Sequence, residues 1–356
     1  MQQSIITGTG AYIPGKIVGN DYFLGNCFFR STNISLEKKV EETIQDFASI
    51  TGIKERRYAE DNITASQMGL KASQMAVKNA NIDVEAIDYI IFAHNYGDKN
   101  SRLEPSDFVP SLASKVKFGL GIKNPKCIAY DLIFGCPGWL QGLIQADIFI
   151  KSGNANCCLV IGADTLSRVI DPSDRDSMIF SDGAGACVLK GVKNSGITSG
   201  VMNHSMRSDT IDKHDYIYSG QSYGFPDLNE KFIKMHGHKV YNYALTYVPS
   251  AMKECLDNSG FNIEDLKMIF IHQANEKMDD IIIKRFYELY GINRIPEFVM
   301  PMNIRWMGNS SVATIPTLFH QVIKEELDGF QLKNGDLIMF ASVGAGMNIN
   351  AVTYVM

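Results

Sequence analysis

Short runs of apolar residues rich in Val and Ile alternate along the chain with longer stretches whose apolar positions recur at spacings of three and four. The short runs predict strands at Tyr89 to Ala93, Cys127 to Asp131, Cys157 to Ala163 and Ala186 to Lys190, then at Met268 to His272 and Leu337 to Ala341. Near-continuous apolar character marks strands covered on both faces and joined in parallel by helical crossovers. The periodic stretches predict helices at Ala65 to Asn79, Gly138 to Lys151, Lys239 to Asn258, Glu276 to Tyr290 and Ile315 to Glu326. The chain therefore reads as an α/β protein.

Each half offers a strand, a helix, a strand and a Gly-rich closing hairpin, which predicts a duplicated architecture with halves 1–193 and 194–356. No Pro-rich or low-complexity linker separates them, so the halves are expected to pack as one body. Gly15 to Leu36 and His204 to Lys231 are polar, dotted with aromatics and read as irregular insertions, of the kind that cover active sites.

Composition narrows the class. Of 356 residues, 45% are hydrophobic and 21% charged, as in a soluble globular protein. No stretch approaches the roughly 20 apolar residues of a membrane helix. The opening MQQSIITGTGAYIPG lacks the basic and apolar regions of a secretory signal, so the expected compartment is the cytoplasm. Seven cysteines, odd in number and mostly inside apolar runs, suit reducing conditions. A net charge of −5 gives no global attraction to nucleic acid or an anionic membrane, so an acidic partner needs a local basic patch.

Three segments carry candidate chemistry. CIAYDLIFGCPGWLQGL runs from a strand through Gly135 and Cys136 into Pro137, a residue favoured at helix starts. A thiol at such an elbow would meet the positive end of the helix dipole, which is expected to lower its pKa and favour a nucleophilic thiolate. The plainer reading is a small buried cysteine. MIFIHQANEKM puts His272 at a strand end, and NIRWMGNSSVATIPTLF puts Asn309 just ahead of a helix. Singly, the first reads as structural and the second as a cap.

Together and in this order, Cys136, His272 and Asn309 resemble the catalytic set of the β-ketoacyl-acyl-carrier-protein synthase III family. TGIKERRYAEDNITASQMGLKAS, VPSLASKVKFGLGIKN, IKSGNANCCLVIGADTLSRVIDPSDRDSMIFSDGAGACVL, HQAN, GNSSVATIP and ASVGAGM extend the likeness over nearly the whole chain. The resemblance implies a thiolase fold of two αβαβα halves in five layers, usually a homodimer. It implies acyl loading on Cys136 and then decarboxylative Claisen condensation with a malonyl (or β-ketoacyl) carrier thioester, in fatty-acid or specialised lipid and polyketide synthesis. It also implies an oxyanion hole from the backbone N–H groups of Cys136 and Ala345, where the family commonly has Gly. Asn275, Arg175 and Gly237 would hold the pantetheine arm, and Lys277, with Lys284 and Arg285 on the same helix, would dock an acidic acyl carrier protein. Substrates would be acyl-CoA or acyl-carrier-protein thioesters, with no tightly bound cofactor, no metal and no nucleic acid.

The sequence also departs from the family. Where acetyl-CoA users carry Trp and Arg before the TGI motif, this chain has Asp46 and Ile50, and Asp176 replaces the Gly after Arg175. Most of the CoA grip is missing, which points to a carrier-borne primer or one longer than acetyl. Three alternatives stay open: a non-decarboxylating acyltransferase or condensing enzyme (dialkylresorcinol-type, for example), a non-catalytic partner subunit, and a hydroxymethylglutaryl-CoA synthase, for whose glutamate base no residue here can be matched.

The remaining motifs have structural readings. DGAGA at Asp182 to Ala186 lacks the Lys-Ser/Thr ending of a phosphate loop and is expected to be a tight turn before a strand. His236 and His238 lack further ligands at metal spacing. Cys157, Cys158 and Cys187 read as core, and His94 faces either pocket or solvent.

Overall fold

The computed structural model describes residues 2–193 and 199–356. The chain opens with β1 (Gln2–Tyr12), a short ladder of β2 (Lys16–Gly19) with β5 (Glu55–Tyr58), and between these a hairpin, β3 (Phe29–Ser31) and β4 (Ile34–Ser35), followed by α1 (Val40–Thr51). Then come α2 (Ala65–Ala80), β6 (Tyr89–Ala93), α3 (Leu112–Gly119), β7 (Ile128–Leu132), α4 (Gly138–Lys151), β8 (Cys157–Thr165) and β9 (Asp182–Lys193). The second half holds β10 (Gly200–Ser208), a hairpin of β11 (Ile217–Gly220) and β12 (Phe232–Met235), α5 (Gly237–Asp257), β13 (Leu266–Ile271), α6 (Glu276–Glu288), α7 (Ile304–Met307), α8 (Thr314–Ile323), β14 (Leu337–Gly344) and β15 (Asn348–Val355).

Two sheets form the frame, in the orders β1-β9-β8-β6-β7 and β10-β15-β14-β13. In each, the central strand pairs in parallel with the strand on one side, β8 with β6 and β14 with β13, and antiparallel with the hairpin strand that follows it. Helices α4 and α8 lie between the sheets, α2 and α3 cover the outer face of the first, and α5 and α6 that of the second. The result is five layers. The sandwiched strand β8 is buried at every position, which is why CCLVIGADT reads as an uninterrupted apolar run. For the same reason α4 is apolar almost all round, with Trp139, Leu143, Ile144 and Ile150 meeting Phe270, Ile338 and Phe340 of the second sheet in one core.

Every predicted element is present, β6 and α4 with the predicted ends and the others with shifted ends, and several went unpredicted. Strands β1 and β10 and helices α1 and α3 fall in stretches where Gly, Thr or charged residues break the apolar pattern. DGAGA is strand from its first residue, not a turn ahead of one. Its small residues answer a packing demand, since a Cβ on Gly185 would sit 2.6 Å from Pro316 of α8. His204 belongs to β10, so the second irregular segment begins later than expected. The expected boundary, after Lys193, adjoins residues 194–198, which lie outside the described residues.

The two insertions join around a buried cation. Lys234 on β12, with none of its side chain exposed, holds Asp171 at 2.6 Å and Asp174 at 3.0 Å and lies 3.3 Å from the centre of the Tyr223 ring. Phe29 of β3 donates its N–H to Ser173 in the same turn, at 2.8 Å. Lys234→Met would strand two carboxylates, and losing one partner of a buried pair costs about 3–5 kcal/mol; a denaturation midpoint matching wild type would contradict this. Burial acts to raise Asp171, but the bonds from Lys234 and the N–H groups of Tyr223 and Ser173 outweigh it and hold the carboxyl below its ordinary range. A depressed folded pKa gives stability that is full above the unfolded value, about 3.9, and lost as the pH falls from there through the folded value. Lys234→Met should remove that part of the acid dependence.

Candidate active site

A cavity of about 640 Å³ opens between the halves, and seven of the ten residues singled out for a site line it: Cys136, His272, Asn309, Ala345, Asn275, Arg175 and Gly237. Lys277, Lys284 and Arg285 are exposed on α6 outside it.

Cys136 ends the loop from β7 and immediately precedes Pro137, the N-cap of α4. Gly135 enters the elbow at a φ of +65°, a left-handed conformation that glycine adopts without strain. The elbow presses on the β14–β15 turn. A Cβ on Gly135 would lie 2.7 Å from the Ala345 nitrogen, and one on Gly344 would lie 2.6 Å from the Cys136 nitrogen. Only glycines allow this approach, which packs the Cys136 elbow against the turn at Gly344 and Ala345. The expectation of a lowered thiol pKa is corrected. Burial pushes Cys136 up to about 11; the Ser311 hydroxyl at 3.4 Å opposes the rise and the Asp164 charge adds to it. Loss of water outweighs the hydrogen bonds to the sulfur, and the resting thiol keeps its proton.

His272 extends β13 by one residue, donating its N–H to Ala341 of β14 at 2.8 Å. Its side chain is buried and Nδ1 has no partner among the described residues. Burial alone pushes it down to about 4, so the imidazole is neutral at physiological pH. Asn309 is clamped by its backbone, donating to Ile179 at 3.0 Å and accepting from Ser181 at 2.8 Å. Its Oδ1 accepts the N–H of Ser311 at 2.8 Å, which leaves Nδ2 as the free donor end. This bond braces the loop and caps no helix, because the N-caps of the Ser311–Ala313 turn and of α8 are Ser310 and Ala313, neither with a side-chain cap. Asn275 does cap: its Oδ1 accepts the Met278 N–H of α6 at 3.1 Å, while the residue lines the cavity.

At the mouth, Asp46 pairs with Lys38, which offsets the repulsion that an unpaired carboxylate would exert on phosphate. Arg175 is mostly exposed, 3.8 Å from Asp176. Burial and the neighbouring Asp174 push Asp176 up to about 7. On α6, Lys284 pairs with Glu288 at 3.8 Å, and Arg285 is spent on the Leu245 carbonyl of α5 at 2.8 Å, so Arg285 is a helix tie as well as a surface charge. His94 faces neither pocket nor solvent: it is fully buried, bonded to Asp131 at 3.1 Å and to the Gly97 N–H at 3.1 Å. Its neighbours Asn95 and Tyr96 line the cavity instead. Asp164, unnoticed in the sequence, sits behind them; its one signal was an acidic residue ending an all-apolar run.

Comparison with known proteins bears on the family and the fold. Family models described as 3-oxoacyl-[acyl-carrier-protein (ACP)] synthase III and its C-terminal part match residues 130–210 and 256–356. A beta-ketoacyl-[acyl-carrier-protein] synthase III of Clostridium acetobutylicum is 33% identical over 349 residues, covering 96% of this chain and 95% of the relative. The crystal structure of the 3-oxoacyl-[acyl-carrier-protein] synthase III of Aquifex aeolicus superposes with a TM-score of 0.79 at 30% identity, all of both chains being covered. A priming beta-ketosynthase from the R1128 polyketide biosynthetic pathway gives 0.81 at 25% identity, over 100% of this chain and 96% of that one. Fold and relatives define a condensing enzyme of the thiolase architecture, an acyltransferase. The chain belongs to the β-ketoacyl-acyl-carrier-protein synthase III family.

Proposed function

We propose that Cys136 accepts an acyl group from a carrier thioester and that the enzyme then joins it to a malonyl thioester with loss of carbon dioxide. The observation that carries this reading is the convergence of Cys136, His272 and Asn309 on one cavity, where the Cys136 elbow packs against the turn at Gly344 and Ala345. In the first stage the Cys136 sulfur bonds to the acyl carbon, the carrier sulfur leaves, and the thiol proton goes to that departing thiolate. The N–H groups of Cys136 and Ala345 hold the intermediate oxyanion. In the second stage the bond to the malonyl carboxylate breaks, carbon dioxide departs, and the electron pair becomes an enolate held by neutral His272 and by Asn309 Nδ2. Its carbon attacks the acyl group and expels the Cys136 thiolate, which takes a proton from solvent to restore the resting thiol. Neither His272 nor Asn309 changes its proton.

For the primer, the cavity supports an acyl group longer than acetyl delivered on an acyl carrier protein. Phe29, Leu36, Phe47, Leu166, Ile217 and Ile233 give it an apolar wall, and each buried CH₂ contributes about 0.8 kcal/mol. Pantetheine would run past Gly237 and Asn275 to a mouth near Arg175, with Lys277 as the docking cation. The homodimer reading rests on the open edge of β7, where Ile128 and Ile133 are exposed beside Phe108, Val109 and Phe118; a monomeric mass by light scattering would remove it. The halves 1–193 and 194–356 are assigned as the two repeats on their matching strand order. Seven free thiols fit a cytoplasmic enzyme, and no helix among the described residues is long and apolar enough to cross a membrane.

Intact-protein mass spectrometry after brief incubation with matched acyl-CoA and acyl-carrier-protein donors of several lengths tests the reading. Medium or long acyl groups on the carrier protein should label fastest, and Lys277→Glu should slow labelling from carrier-protein donors alone. A fast burst from acetyl-CoA contradicts the primer assignment, and equal slowing from both donor types contradicts the docking role.

A further inference from the structure

The cavity floor contains a hydrogen-bonded chain that ends on the sulfur. Asp164, near the end of β8 and 1% exposed, accepts the backbone N–H of Asn95 at 2.9 Å on one oxygen and the Asn95 side-chain amide at 2.7 Å on the other. The same Asn95 nitrogen reaches Ser311 Oγ at 3.0 Å, and Ser311 Oγ lies 3.4 Å from Cys136 Sγ. An ionised carboxylate only accepts, so it fixes which end of the Asn95 amide faces it. The second amide hydrogen then fills a lone pair of Ser311, and the hydroxyl hydrogen is left for the sulfur.

We infer that Asp164, Asn95 and Ser311 form a polarised chain that directs the Ser311 hydroxyl at Cys136 and stabilises its thiolate, with Ser311 a catalytic residue and Asn95 and Asp164 its positioning residues. The inference rests on Cys136 being the nucleophile. Ser311 is held for this task by its backbone, which adopts a φ of +55° while Asn309 Oδ1 takes its N–H. The other groups facing the sulfur act differently. Asp164 raises the thiol through its charge, His272 is neutral, and Tyr96, buried and pushed well above its ordinary range, stays protonated. Ser311 also helps to hold the Asp164 carboxyl down, so that carboxylate is the competing acceptor for the hydroxyl hydrogen. Burial pushes Asp164 up to about 6, and above pH 7 it is ionised and the chain has the stated direction.

The rate at which iodoacetamide alkylates Cys136, read on its peptide by mass spectrometry between pH 7 and 11, tests the chain without any thioester. In Ser311→Ala and in Asn95→Leu the rate–pH curve should move up by about one unit, since a bond from hydroxyl to charged sulfur is among the stronger kinds. A more basic thiolate is more nucleophilic, so the tenfold loss of thiolate at pH 8.5 should read as about threefold slower alkylation. Ser311→Gly, which also relieves the left-handed backbone, should move the curve equally. If the Ser311 variants overlay wild type, the hydroxyl serves Asp164 and the inference fails; if only Asn95→Leu overlays it, the positioning role fails. Alkylation shifted as stated, with no donor acylating the wild type, would instead overturn the function proposed above and with it the catalytic role of Ser311, leaving only the thiolate stabilisation by the chain.

Discussion

Cys136→Ala is expected to take no acyl group from any donor and to lose condensation by about 10⁴-fold or more, the scale on which enzymes suffer when a covalent nucleophile is removed. The fold should tolerate the change, because among the described residues the only side-chain partner of the sulfur is Ser311, and the elbow is set by Gly135, Pro137 and Gly344. A melting temperature within a few degrees of wild type is the control. The variant should keep one activity. His272 and Asn309 stand on other elements and owe nothing to the sulfur, so malonyl carrier thioester should still lose carbon dioxide without forming a ketoacyl product. Labelling of Cys136→Ala at the wild-type rate would end the covalent reading. Carbon dioxide release that vanished along with labelling would show that the two stages are not separable in the way this site suggests.

That separability was partly legible in the chain before folding. HQAN and GNSSVATIP lie more than 130 residues from Cys136, and only the resemblance joined them, since each local pattern favoured a structural reading. What the sequence did not convey was mostly electrostatic. A cysteine beside a helix start promises an acidic thiol, yet the apolar packing that makes α4 a central helix also strips water from the sulfur, and that desolvation wins. Nor did KMHGHKV announce Lys234 as a buried cation, because its partners Asp171 and Asp174 lie some sixty residues earlier, in what read only as a possible CoA contact. Arg285 looked like a docking charge because helix periodicity reports which face a residue occupies, not that the Leu245 carbonyl waits within reach. Long-range polar pairing has no period. The missed strand β1 is a milder case: its Gly and Thr positions interrupt the apolar run because α2 lies directly on the strand, where a Cβ on Gly10 would meet an Ala72 carbonyl oxygen at 2.1 Å.

The same water exclusion that keeps the Cys136 thiol protonated keeps His272 neutral, so both residues meet the substrate as hydrogen-bonding groups and not as ions. For an enolate this is the useful state. A neutral imidazole N–H and the Asn309 amide can donate to the oxyanion without a proton changing place, and in a site with little water each preorganised donor is worth about 2.7–4 kcal/mol, or 10²- to 10³-fold in rate.

His272→Ala and Asn309→Asp are therefore each expected to slow carbon dioxide release by about 10²- to 10³-fold while Cys136 is still acylated near the wild-type rate. Asn309→Asp is the sharper probe. Asp retains the oxygen that accepts the Ser311 N–H, so the loop keeps its shape, but a carboxylate oxygen replaces the Nδ2 donor and repels the developing charge. The double variant should lose less than the product of the two single losses, because donors sharing one oxyanion act as a unit. The proton state of His272 can be read independently: its imidazole NMR signal, assigned by its absence in His272→Ala, should hold the neutral position from pH 8 down to pH 5, since burial places its titration near 4. A titration near the ordinary 6.5 would mean that the imidazolium is within reach during turnover. Loss of acylation with normal carbon dioxide release in Asn309→Asp would move that residue from the second stage of the reaction to the first.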